Sequence, residues 1–195
     1  MKKHFLLLST LLLLAGCGAN TTAGNTSRPS DNSTETADSK TLIVYFSASN
    51  HTEKVATTIG EYLNVTPFVL EPVEPYTSAD LNYTNSNSRV VKEHEDPNRH
   101  VELKTTTVDG FSEATNIFLG APVWWQEMSW VINDFVKDND FTGKTIISFA
   151  TSASSNYRID NLKALNSTGT WLEPKRFSSS VSSSDVISWV DSLSL

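Results

Sequence analysis

The chain has one cysteine in 195 residues, Cys17. With no other, an intrachain disulfide, a cysteine-ligated iron–sulfur cluster and a thiol nucleophile in the folded domain are excluded. Basic clusters are also missing. Lys and Arg number 15 against 22 Asp and Glu, and the formal charge is −7. Without a basic stripe, nucleic acid is not an expected partner. No Gly-x-x-x-x-Gly-Lys is present, which excludes a P-loop nucleotidase. No Gly-x-Ser-x-Gly elbow is present either, so the many serines carry no hydrolase pattern. His51, His94 and His100 lack zinc-ligand spacing, and His94 and His100 read as part of a solvated polar loop. No internal repeat is evident.

No apolar run is long enough to cross a bilayer, which needs roughly 20 residues. The run from Phe5 to Leu14 is shorter and broken by Ser9 and Thr10. A basic start (Lys2, Lys3), this short apolar stretch and the small-residue exit Leu14-Ala15-Gly16 have the form of a secretory signal over residues 1–16. Leu-Ala-Gly-Cys17 resembles a bacterial lipoprotein box. That resemblance implies cleavage before Cys17, acylation of its sulfur and an extracytoplasmic, lipid-anchored protein on the bacterial cell membrane. Several acyl chains anchor firmly, because each buried CH₂ adds about 0.8 kcal/mol. Removing residues 1–16 takes away Lys2 and Lys3 and moves the charge from −7 to −9. Residues 18–40 contain no aromatic or large aliphatic side chain, so they cannot offset the entropy of ordering. Residues 17–40 are therefore expected to be a lipidated cysteine with a flexible Ser/Thr-rich tether, and residues 41–195 one folded domain.

Within 41–195 the hydrophobic period alternates. Thr41 to Phe46 is a continuous β-branched and aromatic run, the pattern of a strand buried on both faces. Thr52 to Leu63 carries Val55, Ala56, Ile59 and Leu63 at helical spacing. Further strands are expected at Val65–Leu70, Ile117–Ala121, Thr145–Ala150 and Thr170–Phe177, the last weakened by Pro174. Helices are expected at Trp130–Val136, at Asn161–Leu165 and after a cap at Ser184 or Asp185. The polar stretch from Tyr76 to Gly110 has weak periodicity, with a helix around Asn87 to Glu95. Strands alternating with helices predict an α/β fold, a doubly wound five-stranded parallel sheet in three α/β/α layers.

Ligands of such sheets sit beyond the carboxyl ends of the strands. Three segments leave strands there. Ser47-Ala48-Ser49-Asn50-His51-Thr52 offers hydroxyls and amides at a helix N-terminus, which suits a phosphate dianion; an ordinary helix cap is the alternative. Pro122-Val123-Trp124-Trp125 follows the third strand, and its indole faces suit a flat aromatic ligand. The alternative is that one plugs the core and the other covers a loop; one tryptophan of each kind is expected, and the residues leave open which of them stacks on the ligand. Trp130 reads as helix core. Thr151-Ser152-Ala153-Ser154 follows the fourth strand, and Tyr157 beyond it is expected to pack the loop, with stacking on a flat ligand as the alternative.

Ile43-Val44-Tyr45-Phe46-Ser47-x-Ser49-x-x-Thr52-x-x-x-Ala56 resembles the flavodoxin signature. Gly120-x-Pro122-x-Trp124-Trp125, Phe141-x-Gly143-Lys144, the segment Glu71–Asn82, and Arg89 with Glu93 resemble extended members of that family. The resemblance covers roughly residues 41–165. It implies strand order 2-1-3-4-5 and FMN as cofactor. It places the FMN phosphate in the 47–52 loop, with Ser47, Ser49, Asn50, His51 and Thr52 around it. Pro122, Val123, Trp124 and Trp125 then flank the flavin ring, and Thr151, Ser152, Ala153 and Ser154 meet its polar edge. Asn50 stands where the family has glycine or another small residue, and Asn accepts left-handed backbone better than most. The third loop lacks the family's glycines. The implied function is electron transfer or reduction, in the manner of a quinone reductase, with a membrane quinone or a surface redox protein as partner. The acidic balance would disfavour a reduced, anionic flavin and lower its potential. No protein acid, base or nucleophile is nominated, because the flavin performs the chemistry. The alternative is a binding lipoprotein of the same fold that has lost the cofactor.

Overall fold

In the computed structural model, the structure describes residues 40–153 and 157–195. Cys17, the expected signal and tether, and Ser154 lie outside the described residues. The elements run β1 (Thr41–Tyr45), α1 (His51–Leu63), β2 (Phe68–Val69), α2 (Arg89–Glu95), β3 (Asn116–Trp124), β4 (Glu127–Met128), a 3₁₀ turn (Trp130–Ile132), α3 (Asn133–Asp138), β5 (Thr145–Thr151), α4 (Asp160–Leu165), β6 (Thr170–Trp171), β7 (Lys175–Phe177) and α5 (Ser183–Asp191). The strand order is β2-β1-β3-β5-β6, with β7 parallel to β5 and β4 antiparallel to β3. The order reverses between β1 and β3, which places a topological switch point there.

Alternate strand residues serve opposite faces. Ile43, Tyr45, Phe118, Ile147 and Phe149 pack with Val55, Ala56 and Ile59 of α1 and Val186 and Val190 of α5. Val44, Phe46, Ile117, Leu119, Ile146 and Ala150 pack with Val90 and Val91 of α2, Phe135 and Val136 of α3 and Leu162 of α4. Each fully buried Phe or Ile contributes about 1.5–3 kcal/mol. The sheet is thus the middle of three layers. Gly120 allows close packing inside it, since a Cβ there would lie 2.2 Å from the Phe149 ring.

Several expectations are corrected. The second strand shrinks to Phe68–Val69. The expected fifth strand is split into β6 and β7 around Pro174, because proline cannot donate a ladder bond. The run Trp130–Val136 begins as a 3₁₀ turn and becomes α-helical at Asn133. The final helix is capped by Ser182, which accepts from the Asp185 amide at 3.2 Å, not by Ser184 or Asp185. Strand β3 runs on through Trp124, so Pro122, Val123 and Trp124 are strand residues and not loop. The β1–β3 pairing ends at Tyr45 opposite Gly120. Pro122 therefore loses no bond to β1, and its carbonyl instead accepts from the Ser129 amide at 2.9 Å.

Candidate functional site

The ends of β1, β3 and β5 lie side by side, with Tyr45 opposite Gly120 and Pro122 opposite Thr151. The described parts of all three nominated segments therefore lie at the carboxyl ends of these central strands.

The first is the Ser47–Thr52 loop. Asn50 adopts left-handed backbone (φ 62°) and precedes α1 without its side chain capping the helix. Asparagine is among the few residues that tolerate this geometry, so the turn forms without glycine. The uncapped first turn leaves amides with no intrahelical partner. Ser47 Oγ is buried and has no hydrogen-bond partner among the described residues. Ser49, Asn50 and His51 are exposed. Thr52 is buried instead, and its Oγ1 lies 2.8 Å from Thr151 Oγ1. The two threonines tie the first segment to the third.

The third segment is itself drawn toward β7. The Ser152 amide donates to the Phe177 carbonyl at 3.0 Å, and the Ser152 carbonyl accepts from Arg176 Nη1 at 2.8 Å. Ala153 is exposed. Tyr157 donates to the Lys175 carbonyl at 3.1 Å and packs on the core, which bears out its packing role. Arg176 is a residue that sequence reasoning missed. Only the pairing of β7 with β5 brings it to this loop.

The two adjacent tryptophans differ in exposure and in the rings they touch. Trp124 is half-buried, with its ring edge-on to Phe46, Tyr76 and Trp130 at 5.8, 5.3 and 4.9 Å. Trp125 is 38% exposed and stacks on His94 at 4.1 Å. Trp130 is core. Trp125 and Gln126 both have positive φ (47° and 65°) and join β3 to β4 as a tight hairpin turn. Such turns favour Asn-Gly, so a bulky indole here carries backbone strain. A cleft of about 270 Å³ is lined by Tyr83, Val123, Trp124 and Trp125. Another of about 270 Å³ opens beside the first loop, lined by residues that include Phe46, Ser47, Ala48 and Tyr76. Phe46 and Tyr76, which line the second cleft, pack edge-on against Trp124, which lines the first.

Helix α2 supports this aromatic wall. Glu93 accepts from Tyr76 Oη (2.5 Å), Trp130 Nε1 (2.9 Å) and Arg89 Nε (2.6 Å). Burial, and then the Glu93 carboxylate, push the Tyr76 phenol well above its ordinary range, so it remains a donor. His94 belongs to α2 and not to a solvated loop, while His100 pairs with Asp134 at 2.6 Å. Among the described residues, no group of three or more His, Cys, Asp and Glu could hold a metal ion. Among the same residues, no helix is long and apolar enough to cross a membrane.

A family model described as flavodoxin matches residues 40–193. The chain belongs to the flavodoxin family. No curated protein matches it. Among solved structures, a Bacteroides eggerthii protein described as a flavoprotein is 30% identical, with TM-score 0.71, and the match covers 81% of this chain and 99% of that one. A Bacteroides uniformis protein so described is 31% identical, also at 0.71, covering 78% and 98%. A Lactobacillus acidophilus flavoprotein solved in complex with FMN is 22% identical, at 0.56, covering 78% and 99%, and shares the fold. The strand order β2-β1-β3-β5-β6 agrees with the one that the resemblance implied, and the described parts of the nominated segments leave the strand ends beside the switch point.

Proposed function

We propose that this flavodoxin binds FMN and passes electrons outside the cell, held at the membrane by a lipidated Cys17. One observation carries the reading. Ser47 Oγ is buried without a partner among the described residues, at the entrance to α1. Leaving a buried hydroxyl unpaired costs about 1–3 kcal/mol. A phosphate that accepts from this hydroxyl and from the first-turn amides removes that cost, and the helix dipole favours its charge. The FMN complex of the Lactobacillus acidophilus flavoprotein, a chain of the same fold, supports the choice of ligand.

When bound, FMN would supply the electron chemistry. The chain's residues bind and orient it. Ser47, Ser49, Asn50, His51 and Thr52 hold the phosphate end, Thr52 through backbone because its hydroxyl is taken by Thr151. Val123, Trp124 and Trp125 offer an apolar face to the ring, and Pro122 precedes them on β3. Thr151, Ser152, Ala153 and Ser154 border the polar edge. A membrane quinone or another surface redox protein is the partner within reach of a lipid anchor. Stopped-flow mixing of the reduced, FMN-loaded protein with menadione tests the redox role. Saturable oxidation marks a reductase with its own substrate site, linear second-order oxidation marks a carrier, and no oxidation contradicts the reading. Replacing Cys17→Ser is expected to move the protein from the membrane fraction to the soluble fraction.

A second reading is a binding lipoprotein without cofactor. It is favoured by the third segment, which lacks glycine and whose Ser152 amide is already engaged by Phe177. A chain that leaves the visible spectrum of added FMN unperturbed would fit this reading and not the first.

A further inference from the structure

Arg89 and Glu93 lie on a helix that contributes no residue to the nominated flavin site, yet they make its densest set of polar contacts. Both carboxylate oxygens of Glu93 are used. Oε2 accepts from Tyr76 and from Trp130 Nε1, and Oε1 accepts from Arg89 Nε. The Glu93 side chain is 14% exposed, so these bonds are little diluted by water. Arg89 also donates from Nη1 to the Glu74 carbonyl at 2.7 Å and sits 4.0 Å over the Tyr76 ring. The two donors that Glu93 holds, Tyr76 and Trp130, are the two rings that press on Trp124 at 5.3 and 4.9 Å. The next residue of the same helix, His94, carries the Trp125 ring. Arg99 extends the grip, lying 5.0 Å over Trp130 and 3.8 Å from Glu127 on the far arm of the hairpin. Tyr76 and Trp130 are thus tied to one carboxylate, and Trp125 to its neighbour on α2.

We propose that Glu93 is a positioning residue for the flavin ring: it fixes Tyr76 and Trp130, and through them the face that Trp124 presents to the cleft. The proposal rests on the FMN reading above. A planar ligand needs a flat, fixed wall, because ordering loose side chains on binding weakens affinity. Glu93 supplies that order before any ligand arrives, and among the described residues it makes no hydrogen bond to the Ser47–Thr52 loop.

The test compares wild type, Glu93→Gln and a control, Val186→Ala. Val186 is buried on the opposite face of the sheet, on α5. A glutamine amide cannot accept from three donors, since its nitrogen only donates. Three readouts are taken: affinity for FMN and for riboflavin, the midpoint potential of the FMN-loaded protein, and the near-ultraviolet circular dichroism of ligand-free protein. The expected result for Glu93→Gln is a loss of about tenfold or more in affinity for both flavins alike, a shifted potential and an altered aromatic dichroism. Val186→Ala is expected to lose stability while keeping wild-type values for all three. If Glu93→Gln does not fold, Tyr76→Phe removes one of the three donors and is expected to shift the same readouts in the same direction by less. Wild-type affinity and potential in Glu93→Gln, or in Tyr76→Phe where the former is unfolded, would overturn the proposal and leave the FMN reading standing. So would equal changes in the control. A wild-type protein that takes up no flavin would overturn both.

Discussion

The Ser47–Thr52 loop and the Trp124–Gln126 turn leave neighbouring strands, yet they are held in different ways. The loop is shaped by its own residues: Asn50 takes the left-handed conformation, and α1 begins at once with no side-chain cap. The turn is shaped from a distance. Its rings rest on Tyr76, His94 and Trp130, and a carboxylate on α2 joins two of these. A local device of this kind tolerates change elsewhere in the chain. A wall assembled from four separate segments fails when any one of them is removed.

The sharpest way to break the comparison is Trp130→Ala. Trp130 is 4% exposed and touches Trp124, Trp125 and Glu93. A loss of about 3–5 kcal/mol is expected in denaturant unfolding, with the Ser47–Thr52 loop keeping its phosphate affinity wherever the protein remains folded. Thr52→Val acts on the loop and on its tie to the third segment. It leaves the buried Thr151 hydroxyl without its 2.8 Å partner and is expected to cost about 1–3 kcal/mol. The double variant with Thr151→Val should cost less than the sum of the singles, which a double-mutant cycle measures. Asn50→Gly should change stability in the opposite direction, by about 0.5–1 kcal/mol, because glycine meets φ 62° without a Cβ penalty. The smallest effect is a pH dependence. Burial and Glu93 raise the Tyr76 phenol above its ordinary value of 10.0. The stability this contributes is complete below that pH and is lost as pH rises above it, because the unfolded phenol ionises first. Urea midpoints should therefore fall less between about pH 9 and about pH 11 in Tyr76→Phe than in wild type.

The same contrast explains how far the sequence could be read. The apolar runs of β1, β3 and β5 are buried on both faces, so their type was legible from hydrophobic period, while their spatial order followed from the flavodoxin resemblance. The left-handed Asn50 agrees with the resemblance, which puts glycine or another small residue there, and asparagine tolerates that backbone better than most residues. The partner of the Thr52 hydroxyl was not legible, because it lies 99 residues away. The Trp125–Gln126 hairpin left no local trace, since neither residue favours a turn of positive φ. The place of His94 under Trp125 and of Arg176 beside Ser152 depends on tertiary packing and strand pairing, which no spacing rule encodes. Ser182 was missed as a cap by two residues, because the serines around it offer several equivalent positions.

The central claim is that one end of the site holds phosphate and the other holds a flat ring. Parallel titrations of the purified protein with FMN and with riboflavin, followed by quenching of flavin fluorescence, test both ends at once. The account predicts saturable binding of each, at one flavin per chain, with FMN tighter by about tenfold or more, as charge-assisted bonds to the loop require. Equal affinities would contradict the phosphate loop, and no quenching by either flavin would contradict the site.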